Sequence, residues 1–213
     1  MKNLFFIVGL PTVGKTHLFK LLKEKYTDDK ISFIIEDEIF LKHIHEIDPN
    51  IPLFKNTEDF VSWKDEGNRN KLSFLYKKNN NKLYLTQLFE DFFSFYFNEA
   101  KNNTDKLFFI DLGGYSHFRD FNSNNVIYYR FKDFFSFKKR FLHRYSNGEE
   151  HYKIIAPLEK EKLFYVKPNN IEKFYQNIDN LYLNKSSFVF DNEIDILKFI
   201  DNIIIKKSIL PID

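Results

Sequence analysis

Gly9-Leu10-Pro11-Thr12-Val13-Gly14-Lys15-Thr16 sets two glycines around a four-residue spacer and follows the second with a lysine and a hydroxyl. That spacing suits a phosphate. Glycines let a short loop turn its backbone N–H groups inward, and a helix starting near Lys15 adds partial positive charge at its first turn. Lys15 can then reach the β and γ phosphates of a nucleoside triphosphate as a point charge, while the Thr16 hydroxyl can ligate Mg2+. Gly9, Thr12, Val13, Gly14, Lys15, Thr16 and His17 are therefore the expected nucleotide-binding residues, with ATP and Mg2+ as the implied cofactors.

A second oxygen ligand has a candidate in Asp111, which closes the apolar run Phe108-Phe109-Ile110. A strand-end aspartate beside a phosphate loop can hold magnesium directly or through water. The same placement also serves to cap a following helix or turn. The three acids Glu36-Asp37-Glu38 follow another apolar run, Ile31 to Ile35. They either complement a helix N-terminus or present a carboxylate to a ligand. His43 and His45 stand two apart, so a helix would send them to different faces and they do not make a metal pair.

These residues need a scaffold that brings strand ends to one edge. Leu4 to Val8 reads as a strand, Thr16 to Tyr26 as a helix with Leu18, Leu21 and Leu22 at helical spacing, and Ile31 to Ile35 as a second strand. Ile39, Leu41 and Ile44 suggest the next helix, and Asn79-Asn80-Asn81 an exposed turn. Leu83 to Ala100 reads as an apolar helix whose Phe92, Phe93, Phe95, Tyr96 and Phe97 belong to the core. Strands at Leu107 to Ile110, Val126 to Tyr129 and Ser187 to Phe190 alternate with helices at Phe134 to Tyr145 and Ile194 to Ile205. Such alternation predicts an α/β fold of three layers, a parallel sheet with helices on both faces and ligands at the carboxyl ends of its strands. Four of the six glycines, Gly9, Gly14, Gly113 and Gly114, fall at that predicted edge.

The 213 residues suffice for a single domain, and no linker or internal repeat divides them. With 32 Lys plus Arg against 30 Asp plus Glu, no broad basic face is implied, so no nucleic acid is expected as partner. The 27 Phe and 12 Tyr argue against disorder, and the absence of cysteine excludes disulfides and thiolate chemistry. No signal peptide or membrane span is expected, so the chain reads as cytoplasmic with no membrane partner. Oligomeric state is left open.

Beyond the loop, the chain resembles shikimate kinase and its relatives, P-loop NTPase folds of the nucleoside-monophosphate-kinase type with a lid over the phosphates. The resemblance implies an ATP-dependent phosphotransferase acting on a small-molecule acceptor that bears a hydroxyl. It assigns Asp37 to the substrate acid after the second strand, and it matches Trp63-Lys64-Asp65-Glu66-Gly67-Asn68-Arg69 to a segment whose arginine, here Arg69, meets the substrate. Gly113 and Gly114 correspond to part of a glycine triplet lying against substrate, with Tyr115 at the third position. Arg140 and Arg144 match a lid-edge arginine that neutralises the transferring phosphoryl group, and 145–158 matches the lid.

Two family arginines are missing. The lid ends in Ala156-Pro157-Leu158-Glu159, where Lys153 is the nearby cation, and no arginine precedes Phe174-Tyr175-Gln176-Asn177-Ile178-Asp179. A pocket that loses a carboxylate-pairing cation changes substrate, which argues against shikimate itself. The alternatives are a nucleoside, nucleotide or sugar-nucleotide kinase, and a nucleotide-binding regulatory protein without catalysis. A GTPase switch is disfavoured because Asn81-Lys82 continues as Leu83-Tyr84.

Overall fold

The computed structural model describes residues 2–26, 29–55, 59–60, 62–63, 66–68, 70–72, 78–79, 82–112, 125–145, 152–155, 163–166 and 170–209. In chain order the elements are β1 (Leu4–Val8), α1 (Lys15–Lys25), β2 (Ile31–Ile35), α2 (Glu36–Ile47), β3 (Lys78–Asn79), β4 (Lys82–Leu83), α3 (Tyr84–Asn102) and β5 (Leu107–Leu112). There follow β6 (Val126–Tyr129), α4 (Phe134–Tyr145), β7 (Tyr152–Ile155), β8 (Leu163–Val166), α5 (Ile171–Lys185), β9 (Phe188–Phe190) and α6 (Glu193–Ile209).

Five of the strands form one sheet in the order β2-β5-β1-β6-β9, and every pairing is parallel. These are the five strands expected from sequence, with β5 running two residues further than Ile110, through Asp111 to Leu112. Because β1 lies in the middle, it is apolar on both faces, and Leu4 to Val8 are all buried. Phe5 and Phe6 point to opposite sides and define the two helical layers. Phe5 stacks on Phe109 at 5.1 Å and Phe109 on Phe33 at 5.3 Å, and α1 covers this row through Phe19, whose ring meets Phe33 edge-on. On the opposite face Phe6 meets Phe93 and Phe97 of α3, and Tyr128 meets Tyr182 of α5.

Polar residues fasten the layers at a few buried points. Asn3, 6% exposed, donates through Nδ2 to the carbonyls of Ala100, Asn103 and Lys106, which closes the C-terminal end of α3 against the start of β1. Arg130 forks onto Asp179 at 2.8 and 2.7 Å, and the Tyr128 hydroxyl donates to the same carboxylate at 2.6 Å. Burial first, and then that hydrogen bond, hold the Tyr128 phenol far above its ordinary pKa, so it remains a donor. Asp201 of α6 accepts from Lys25 at 2.6 Å and from the Tyr26 hydroxyl, joining α6 to the end of α1.

Several local expectations change. The aromatic run of α3 divides, with Phe92 and Phe93 buried but Phe95 56% exposed, since Phe95 falls on the side of the helix turned away from the sheet. Two short antiparallel pairs were not expected. Lys78–Asn79 pairs with Lys82–Leu83 around the predicted turn, and Tyr152–Ile155 pairs with Leu163–Val166. Of these strands, Tyr152–Ile155 lies within the expected lid at 145–158, of which 146–151 and 156–158 lie outside the described residues. Ile44, Ile51 and Leu72 form a separate small cluster with Phe54, Phe60 and Trp63 packed on it. Among the described residues, no helix is long and apolar enough to cross a membrane.

Candidate functional site

The chain leaves β1 for strands on one side, β5 and the edge strand β2, and then crosses from β5 to β6 on the other side of β1. At such a switch point the connections diverge and leave a crevice beyond the carboxyl ends of the strands. The loop of residues 9–14 fills that position, between β1 and α1.

Its two glycines are required for different reasons. A Cβ on Gly9 would lie 2.6 Å from the Tyr129 carbonyl oxygen and 2.9 Å from Val13 Cγ1, so only glycine lets the loop leave β1 this close to β6. Gly14 has room around it but adopts φ +115°, a conformation L residues avoid. Gly14 is the N-cap of α1 and offers no side-chain cap, and the first turn of α1 carries no acid. The positive end of the helix dipole thus faces the loop without an internal counter-charge from its own first turn. This is the arrangement that accepts an anion.

Lys15 folds over the loop. Its Nζ donates to the Gly9 carbonyl at 3.3 Å and lies 3.7 Å from Asp111 Oδ1, and both side chains are nearly buried, at 11% and 7% exposure. Strand register explains the meeting. Ile7 pairs with Asp111, and Asp111 with Ile35, so all three share the face of the sheet that α1 covers. Asp111 is therefore at the loop, with the Thr16 hydroxyl on the first turn of α1 as a second oxygen donor. Among the described residues no cluster of three or more His, Asp or Glu could hold a metal alone. A carboxylate and a hydroxyl nevertheless fit Mg2+, which takes hard oxygen ligands and keeps several waters.

The structure brings one predicted arginine to this loop. Arg140 of α4 donates from Nη1 to the Val13 carbonyl at 3.2 Å, and its guanidinium lies over the Phe131 ring at 5.8 Å. His17 is largely exposed on α1, with Nε2 4.0 Å from Glu193 at the start of α6. For Asp37 the backbone is placed in the first turn of α2, two residues past Ile35 and at the same sheet edge as the loop. Neighbouring Glu38 instead pairs with Lys23 at 2.6 Å, which directs that acid toward α1. The side chains of Asp37 and Arg144 lie outside the described set, as do residues Arg69, Gly113 and Gly114 altogether. His43 and His45 do diverge, to Glu46 at 3.0 Å and to the Ile51 carbonyl at 2.6 Å.

Sequence reasoning missed Tyr129 and Glu193. Tyr129 ends β6, its carbonyl rests against Gly9, and its ring reaches the space beside Gly14. Burial raises the Tyr129 phenol above its ordinary pKa, Glu193 adds to the rise and Arg140 opposes it. The phenol is therefore a neutral donor at the rim of the loop. A tyrosine tip at a strand end was a signal for this, whereas Glu193 arrives only through the packing of α6 beside α1. Comparison with protein-family models, curated proteins and solved structures returns no match to this chain.

Proposed function

We propose that the chain binds a nucleoside triphosphate at the loop of residues 9–16 and transfers its terminal phosphoryl group to a small hydroxyl-bearing acceptor. The observation that carries the reading is the loop itself. It sits at the switch point of a parallel sheet, Gly9 has no room for a side chain and Gly14 holds a φ of +115°, and an uncapped helix N-terminus and the Lys15 ammonium converge on it. Backbone N–H groups and Lys15 would bind the phosphates, with Lys15 exchanging its present hold on the Gly9 carbonyl for a phosphate oxygen. Asp111 and Thr16 would hold Mg2+, which supplies charge neutralisation on the phosphates. Asp37, at the carboxyl end of β2, would orient the acceptor hydroxyl and take its proton. Arg140 would leave the Val13 carbonyl to approach the transferred group, with Arg144 one helical turn further along α4.

The resemblance to shikimate kinase and its relatives supports the kinase form of this reading, and the missing arginines support an acceptor other than shikimate. The test is ATP consumption against a panel of hydroxy acids, sugars, nucleosides and nucleotides, for the wild type and for Lys15→Ala and Asp37→Asn. One acceptor should stimulate turnover, and each substitution should reduce it by about a hundredfold or more with the fold intact. Binding of ATP without turnover on any acceptor would remove the transferase claim and leave a nucleotide-binding regulatory protein.

A further inference from the structure

Within the loop, Val13 N–H donates to the Leu10 carbonyl at 3.3 Å, so Leu10-Pro11-Thr12-Val13 forms a tight turn. Pro11 occupies its second position and Thr12 its third, where φ is +68°. Proline followed by a positive φ is the type II pattern, which ordinarily calls for glycine or asparagine at the third position. Threonine is poorly suited to it because two heavy atoms on Cβ crowd the backbone in the left-handed region. Thr12 is the one non-glycine residue with positive φ among those described.

The side chain presents a second anomaly. Thr12 Oγ1 is buried and has no hydrogen-bond partner among the described residues. A buried hydroxyl without a partner destabilises the fold, and valine would fill the same shape without that penalty. Glycine would remove both the crowding and the hydroxyl. The fold alone therefore gives no reason for threonine here, whereas an anion in the loop does, since a phosphate oxygen can accept from this hydroxyl.

We infer that the Thr12 hydroxyl is a phosphate-binding group of the loop, donating to a phosphate oxygen of the bound nucleotide. The inference rests on the nucleotide reading above and assigns to the side chain a role beyond the loop's backbone. Hydroxyl and conformation are separable by substitution. Thr12→Val keeps the shape and the branched Cβ but loses the donor, and Thr12→Ser keeps the donor.

The measurements are the melting temperature without ligand and calorimetric binding of Mg-ATP and of inorganic pyrophosphate. Thr12→Val should melt higher than wild type and bind Mg-ATP about tenfold more weakly, and Thr12→Ser should bind within about twofold of wild type. Equal affinity in Thr12→Val, a Thr12→Ser as weak as Thr12→Val, or a Thr12→Val that melts lower than wild type would each overturn the inference. The two readings fail differently. A wild type that binds pyrophosphate but not Mg-ATP sinks the nucleotide reading, and the same comparison on pyrophosphate still decides the role of the hydroxyl. A wild type that binds neither probe overturns both.

Discussion

Gly9 and Gly14 differ in what a methyl group would do to them, and that difference is measurable. At Gly9 the obstacle is backbone, the Tyr129 carbonyl at 2.6 Å, which cannot yield without parting β1 from β6. At Gly14 the nearest atoms are on the Tyr129 ring at 3.7 and 3.8 Å, so alanine meets only the cost of φ +115°, about 1–2 kcal/mol. Gly9→Ala should therefore lower the melting temperature more than Gly14→Ala and abolish Mg-ATP binding, as thermal unfolding and calorimetry will show. Equal melting temperatures for the two variants would contradict the close approach of loop and strand. Lys15 makes the same point about charge. Its contacts with the Gly9 carbonyl and Asp111 keep the ammonium at the loop, where phosphate can claim it.

Among the elements, β6 has the largest share in shaping the site, since its end supplies Tyr129 and its continuation supplies Arg130. The fork from Arg130 to Asp179 and the hydroxyl of Tyr128 anchor β6 to α5, with Asp179 7% and the Arg130 side chain 35% exposed. Removing Asp179 strands a fully buried phenol, whereas the half-buried guanidinium can turn toward water. Asp179→Ala should thus cost about 2–4 kcal/mol in urea unfolding. Adding Tyr128→Phe should then cost less than in wild type, by about 1 kcal/mol, because the stranded hydroxyl is gone. Strict additivity of the two substitutions would show that the hydroxyl and the carboxylate are not coupled. Asp179 closes the segment Phe174 to Asp179, before which the resemblance expects an arginine, and in the structure it is a fastening between layers.

Across the whole molecule, the sheet and the loop were legible because both follow from short-range pattern. Apolar runs bounded by Gly9 and by the acids after Ile35 mark strands, and the G-x-x-x-x-G-K-T spacing marks a turn into a helix. What the sequence left hidden depends on register and on packing between elements distant in the chain. That Asp111 faces Lys15 requires the pairing of Ile7 with Asp111, and that Arg140 meets Val13 requires α4 to lie beside the loop. The two hairpins were missed because strands of two to four residues carry too little alternation to read. Order among the layers nonetheless converges on one place, the carboxyl edge of β1. The most direct test of that convergence is calorimetric titration of Mg-ATP into the wild type and Lys15→Ala, with melting temperatures to verify both folds. Convergence there predicts saturable one-to-one binding that is lost or weakened at least about a hundredfold in Lys15→Ala without loss of stability. A wild type that does not bind, or a Lys15→Ala that binds equally well, would contradict it.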